Sequence, residues 1–471
     1  MITFIISIGL LIAGYFIYGK IIEKIFGIDS QRITSAISKQ DGVDYVPLKP
    51  WRIFMIQFLN IAGLGPIFGA IMGAKFGTSA FLWIVFGCIF GGAVHDYLSG
   101  MMSLRREGAS LPELHGAYLG RGVKQFMRGF MVILMVLVGV VFVVGPAGLL
   151  AKLTPHYLNA TFWICMILIY YIMATLLPID KIIGRIYPVF GFCLLFMALG
   201  IMIAFFIHHP ALPEVWEGLH NTHPQAASTP IFPMMFVSIA CGAISGFHAT
   251  QSPLMARCMT NEKQGRPIFF GAMIAEGIVA LIWAAAASYF FYNNGMNESN
   301  AAVIVDSITK NWLGVFGGIL AILGVIAAPI STGDTAFRSA RLIVADFLHY
   351  DQKPIKKRLI IALPLFLAAF GILMFSIYNK NGFDIIWRYF AWANQVLAAV
   401  TLWAITVFLY KEHKPYPITL IPALFMTMVC STYLLISPEG FNLNHTLSYC
   451  LGGCITLLIL IIFIIFIRKQ S

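Results

Sequence analysis

Runs of about twenty mostly apolar residues, the length that carries an α-helix across a hydrocarbon layer, recur from residue 2 to residue 467 with short polar gaps between them. This leaves the backbone few options. Lipid offers no hydrogen bonds, so each N–H and C=O must be paired inside a helix or a closed barrel. The runs are too long and too continuous for barrel strands, which are short and alternate in polarity. Composition agrees, with 59% hydrophobic and 11% charged residues in a chain of 471 and a mean hydropathy of +0.84. So few charges cannot coat a soluble fold of this size. The chain reads as an all-α polytopic membrane protein, a single integral domain over 1–471 held in a lipid bilayer.

Thirteen spans are expected, near 2–22, 53–74, 79–103, 127–150, 160–178, 186–208, 231–256, 267–292, 312–334, 359–378, 386–410, 416–436 and 446–467. Charge tests the count. The odd-numbered gaps with the C-terminal tail hold 26 Lys and Arg, while the N-terminus and the even-numbered gaps hold 5. By the positive-inside rule the N-terminus lies outside and the C-terminus inside. Lys380 and Arg388 in an outside gap fit this least well. The net charge of +11 thus reflects topology rather than nucleic-acid binding. The first run has no basic residue ahead of it and no small-residue cleavage site, so it is expected to be a retained helix. Gaps near 23–50, 104–126, 209–230 and 335–358 suit lids or interfacial helices. The eight cysteines are scattered, mostly within apolar runs and without a CxxC pair; they read as buried small hydrophobes.

Two spans are interrupted. The second contains Asn60-Ile-Ala-Gly-Leu-Gly-Pro-Ile-Phe-Gly69, with Gly65, Gly69, Gly73 and Gly77 four residues apart. A small-residue packing seam accounts for the spacing but less well for Asn60 and Gly65-Pro66, which suit a break lining a cavity. The seventh contains Cys241-Gly-Ala-Ile-Ser-Gly-Phe-His-Ala-Thr-Gln-Ser-Pro253, whose His248, Thr250, Gln251 and Ser252 are costly in a span unless they face water, protein or ligand. These spans lie five apart and run in opposite directions by the charge assignment. Two inverted five-helix repeats, each opening on a discontinuous helix, have that pattern, with substrate and ion sites at the paired breaks.

Ionisable residues inside spans mark the remaining candidates. In the third span Gly92, Asp96, Ser99 and Ser103 share one helical face, with His95 beside them roughly 24 Å from Ser79. Glu276 lies roughly 15 Å into the eighth span. A charge at a helix centre costs on the order of 3 kcal/mol, so His95, Asp96 and Glu276 are kept either for proton coupling or for structural hydrogen bonding. Span nine ends in Ala328-Pro-Ile-Ser-Thr-Gly-Asp334 below a small-residue stripe of Gly317, Ala321, Gly324 and Ala328. Ser331 and Thr332 suit either Na⁺ ligation or hydroxyls bonded back to their own helix, and Asp334 suits coupling or pairing with Arg338 and Arg341. No metal site or cofactor is expected. The chain lacks HExxH and any close ligand pair on one helix face beyond Cys450 and Cys454, and His208, His209, His220 and His223 read as solvated loop histidines. A nucleophile–base pair is also missing, which argues against an enzyme.

The stretches DGVDYVPLKPWRIFMIQFLNIAGLGPIFGAIMGAKFG (41–77), GGAVHDYLSGMMSLRREGAS (91–110), CGAISGFHATQSPLMARC (241–258), AEGIVALIWA (275–284), APISTGDTAFRSARL (328–342) and FDIIWRYFAWANQ (383–395) resemble the carbon starvation protein A (CstA) family. The resemblance implies a secondary transporter of the amino acid–polyamine–organocation superfamily in a prokaryotic cytoplasmic (inner) membrane. It would import pyruvate or short peptides by alternating access, with H⁺ favoured over Na⁺ as coupling ion. A transporter-fold nutrient sensor and a sodium-coupled carrier of another solute remain the alternatives. The implied fold is a LeuT-like 5+5 inverted repeat, with an extra helix about 1–22, repeats about 53–208 and 231–410, and terminal helices about 416–467. That fold unwinds the opening helix of each repeat around the substrate, here over Asn60–Gly69 and Gly242–Pro253. Substrate contacts then fall on Asn60, Gly63, Gly65, Gly242, Ser245, Gly246, His248, Gln251 and Ser252. Coupling falls on His95, Asp96, Glu276, Ser331, Thr332 and Asp334, the hydroxyl pair matching sodium-coupled relatives. The better-known members are longer at the C-terminus, and the oligomeric state is not fixed by the sequence.

Overall fold

The computed structural model describes the backbone except at 43, 177–178, 298–300, 351, 353, 380–381 and 470–471, and side chains except those and 152–153, 176, 179–188, 294, 302, 315–323, 327 and 384. The described residues form helices and connecting turns, with no strand among them. Among the described residues, nine helices are long and apolar enough to cross a membrane. They are Ile2–Phe26, Ser79–Arg105, Arg121–Ala151, Val189–His208, Glu262–Asn293, Ile355–Tyr378, Ile385–Lys411, Pro417–Ile436 and His445–Arg468. Pro50–Ile61 and Gly65–Ala74 form a further, bent pair at 52°, and Ala160–Thr175 is a shorter apolar helix. The last helix is nearly all exposed on the surface of the chain, with 11% of its apolar window buried, against 83% for Glu262–Asn293. The functional core therefore sits away from the C-terminus.

Helix ends follow local chemistry. Pro50 and Pro417 occupy first positions, where a missing N–H costs nothing. Asn444 accepts from the Leu447 N–H at 2.8 Å and caps the last helix. Ala301–Leu348 is longer than the expected ninth span and continues into the gap expected at 335–358 as far as Leu348. Thr335, Arg338, Ser339 and Arg341 are all buried there. Protein rather than headgroups surrounds that stretch, and nothing forces the helix to stop. Gly314 kinks its early part. Gly317 and Ala321 of the small-residue stripe lie outside the described side chains, while Gly324 backs onto Leu194.

Gaps of the same parity meet at the same end. Glu262, from the seventh gap, binds Arg105 from the end of the third helix at 3.1 and 3.0 Å and accepts from the Asp29 N–H of the first gap at 2.7 Å. Arg105 stacks 4.0 Å over Phe26, and Lys414 of the eleventh gap donates to the Phe26 carbonyl at 2.6 Å. At the other end Thr78 donates to the Gly218 carbonyl and Thr222 to that of Lys75, both at 2.8 Å. Met1 pairs with Glu214 there, and Arg388 pairs with Glu439. Lys380 lies outside the described residues.

Both interruptions are present, and both are narrower than expected. The first occupies Ala62–Leu64, between a helix that retains Asn60 and a π-turn over Gly65–Gly69. The second occupies Ile239–Ser245, after which Gly246–Ala256 is helical. The unwound stretches expected over Asn60–Gly69 and Gly242–Pro253 are corrected accordingly. The polar side chains of 248–252 find lateral or own-helix partners, so their backbone stays helical. Gly242 turns the second break with φ +91°, a conformation that a side chain disfavours. The breaks touch: a Cβ on Gly65 would lie 2.3 Å from Cys241 Cβ and Sγ. Gly65→Ala should therefore destabilise the protein by about 1–3 kcal/mol through overpacking, whereas Gly9→Ala, with open space around it, should not. Thermal unfolding of the two variants in detergent checks this.

Candidate functional site

The free backbone groups of the second break are met by side chains from other helices. Asn394, on Gly382–Lys411, accepts from the Phe247 N–H at 2.7 Å and bonds the Ser245 hydroxyl at 2.9 Å. Its neighbour Gln395 donates to the Phe236 carbonyl at 2.9 Å, and the Trp83 indole donates to that of Ile239 at 3.1 Å. These clamps fix where the Gly246–Ala256 helix begins and hence where His248 points.

His248 meets a cluster of titratable groups, all without solvent exposure. Its Nδ1 lies 2.8 Å from Asp96 Oδ2, and His95 Nδ1 lies 2.8 Å from Asp96 Oδ1. An ionised carboxylate only accepts, so both rings donate through Nδ1. That leaves His248 Nε2 facing Glu276 Oε2 at 3.4 Å. Cys241 completes the group: the ligating atoms of Cys241, His248 and Glu276 all lie within 4.8 Å of one another. Among the described residues, His248 Nε2 and both Glu276 oxygens make no hydrogen bond. The five residues come from the third helix, the break, the half-helix after it and the eighth-span helix.

A second group surrounds the first break. Thr332 donates to the carbonyls of Leu59 at 3.1 Å and Ala328 at 2.9 Å, and a Cβ on Gly63 would lie 3.0 Å from its hydroxyl. Ser331 bonds back to Ala328 at 2.7 Å, while Thr335 reaches Asn60 Oδ1 at 3.4 Å. Asp334 is buried on the same helix, and Arg338 donates to the Ala174 carbonyl at 2.8 Å.

The expected site residues thus divide. His95, Asp96, Ser245, His248 and Glu276 gather at the second break, with Gly65 and Gly242 at the contact between the two. Asn60, Gly63 and Thr332 gather at the first, while Ser331 bonds back to its own helix. Gln251 reaches Thr250 at 2.9 Å and Ser252 bonds back to His248 at 3.1 Å; neither touches Asp96 or Glu276 in the hydrogen bonds described. Gly246 backs onto Asn394 and Ala398 and serves packing. Sequence reasoning missed Cys241, Asn394, Gln395 and Trp83. Asn394-Gln395, a polar pair in an apolar run, was the available signal. Among the external histidines, His223 Nδ1 accepts from the Gln225 N–H at 3.1 Å. Burial, and after it the Lys75 charge, push His223 down to about 4, so it is neutral at pH 7.

Asn394→Ala should cost about 1–3 kcal/mol by leaving the buried Phe247 N–H and Ser245 hydroxyl without that partner. A thermal-shift measurement on detergent-purified protein checks it.

The comparisons with known proteins agree with this architecture. The model of the family described as carbon starvation protein CstA matches residues 1–156, 147–315 and 291–433. An uncharacterized membrane protein of Haemophilus influenzae is 45% identical over 62% of this chain and 92% of its own length. The peptide transporter CstA of Bacillus subtilis is 28% identical over 97% of this chain and 94% of its own. The pyruvate/proton symporter BtsT of Escherichia coli is 27% identical over 60% of this chain and 48% of its own. In fold, the chain is similar to a crystal structure of a manganese transporter from Eremococcus coleocola, with a TM-score of 0.59 at 12% identity, over 92% of this chain and 99% of that one. The CstA, BtsT and manganese proteins among these are transporters rather than enzymes. The chain is a multi-pass inner-membrane protein that belongs to the carbon starvation protein CstA family.

Proposed function

We propose that the protein is a proton-coupled secondary carrier that imports a small organic nutrient, pyruvate or a short peptide, by alternating access. The observation that carries this reading is the buried line from His95 through Asp96 and His248 to Glu276, which joins the second break to two neighbouring helices. Titratable groups 2.8–3.4 Å from one another, in a place where isolated charge is costly, suit a coupling relay. Their position beside a broken helix ties protonation to movement of the segment around the substrate.

The fold belongs to the same proposal: thirteen spans, an inverted 5+5 repeat of the LeuT-like class within the amino acid–polyamine–organocation superfamily, N-terminus outside and C-terminus inside. The contact between Gly65 and Cys241, at breaks five spans apart, supports the repeat. The meeting of odd-numbered gaps at one end and even-numbered gaps at the other supports the span order. A substrate carboxylate would be held by backbone N–H groups at the half-helix ends beside Gly63, Gly65, Gly242 and Ser245. The peptide and pyruvate transport named for the relatives sets the solute class.

Counterflow of labelled pyruvate and of labelled dipeptides in proteoliposomes should identify the solute, and an inward proton gradient should drive its accumulation. Glu276→Gln should reduce that accumulation to the level of protein-free liposomes while exchange persists. Unchanged proton-driven accumulation in both Glu276→Gln and His248→Ala would exclude the relay.

One observation favours a second reading. The Thr332 hydroxyl lies against the Leu59 carbonyl at the first break, a pair of oxygens suited to Na⁺. If sodium couples instead, uptake should depend on it in the parent protein, and Thr332→Ala should remove that dependence; sodium-independent uptake rejects this reading.

A further inference from the structure

We infer that Cys241, His248 and Glu276 form a binding site for a zinc-class divalent cation, with Asp96 as the carboxylate that orients its histidine. This goes beyond the carrier reading and does not depend on which solute moves. Three observations converge. First, the ligating atoms lie within 4.8 Å of one another. Zinc bonds of about 2.0–2.3 Å place neighbouring tetrahedral ligands about 3.3–3.8 Å apart, so closure needs side-chain shifts of about 1 Å. Second, His248 donates Nδ1–H to Asp96 at 2.8 Å. This is the carboxylate–histidine arrangement that fixes a metal-binding ring with its Nε2 lone pair forward. Third, His248 Nε2 and both Glu276 oxygens are fully buried without a hydrogen bond among the described residues, an arrangement that desolvation penalises unless a ligand meets them.

The donor set selects the ion. One thiolate, one imidazole and one carboxylate suit borderline-soft Zn²⁺, whereas Mg²⁺ and Ca²⁺ take oxygen. On binding, the Cys241 S–H bond breaks, its proton leaves to water and an S–metal bond forms. The dication with thiolate and carboxylate is then neutral, which favours it in a low-dielectric interior. Cys241 lies within the break and His248 just beyond it, so the ion would hold the two together. The fourth position is left to water or an anionic ligand.

Full-length protein, purified in detergent and stripped with EDTA, is titrated with Co²⁺ and then Zn²⁺. One equivalent of Co²⁺ should produce a thiolate-to-metal charge-transfer band that Zn²⁺ bleaches. Cys241→Ser should lose the band, and Cys430→Ser should keep it. Asp96→Asn should keep the stoichiometry with affinity weakened about 10–100-fold. X-ray absorption of the zinc-loaded parent protein should find one sulfur and one imidazole, a readout that no variant's folding can disturb. A parent protein without the band, a band that survives Cys241→Ser, or zinc bound without sulfur, as external His220 and His223 would hold it, overturns the site. Binding is read at equilibrium without flux, so loss of the metal site and loss of proton-driven uptake are separately visible.

Discussion

A main-chain break inside a membrane protein exposes N–H and C=O groups that neither lipid nor the next helical turn can pair. Here Asn394 meets the Phe247 N–H, while Gln395 and Trp83 meet the carbonyls of Phe236 and Ile239. Because those partners come from two separate helices, the break has one defined geometry. The half-helix that follows starts at Gly246 and turns His248 toward Asp96 rather than toward lipid. Gly65 allows the other broken segment to approach the same point, since a side chain there would collide with Cys241.

The buried ionisable groups depend on that placement. Asp96 is fully buried yet has a histidine on each oxygen at 2.8 Å, which offsets the loss of water. Glu276 differs: His248 Nε2 approaches one oxygen at 3.4 Å, and among the described residues neither oxygen makes a hydrogen bond. Two carboxylates in one cluster thus have opposite environments, one saturated with donors and one open. Unequal carboxylates of this kind are what a site needs if one is to remain fixed while the other exchanges its proton or accepts a ligand. At the opposite extreme, Glu262 is wholly satisfied by Arg105 and the Asp29 N–H, and it fastens the end of the first helix to those of the third and eighth spans.

Much of the architecture was legible because lipid makes sequence periodicity decisive. Apolar runs of helix length could become only helices; Gly65-Pro66 lay just after one backbone break and Gly242 within the other. Asp96, His248 and Glu276 stood out because charge in such runs is costly wherever the helix packs. Legibility failed at break width. Polar residues 248–252 read as unwound, but Thr250 and Ser252 bond back to their own helix and His248 meets Asp96, which is distant in sequence, so a helix is permitted. The gap expected at 335–358 failed likewise: its polar residues are buried in protein and continue a helix to Leu348.

The amino-acid order by itself determined that this chain is helical, membrane-embedded and interrupted at two points, since hydrophobic length, charge alternation and Gly/Pro placement are local properties. Only the tertiary structure decided what meets at those interruptions. Asp96 and His248 are 152 residues apart, Asn394 and Phe247 are 147 apart, and Cys241 joins His248 and Glu276 only through packing. Spacing along one helix face shows ligands that share that face; it cannot show groups brought together from separate helices by the pairing of backbone atoms at a break.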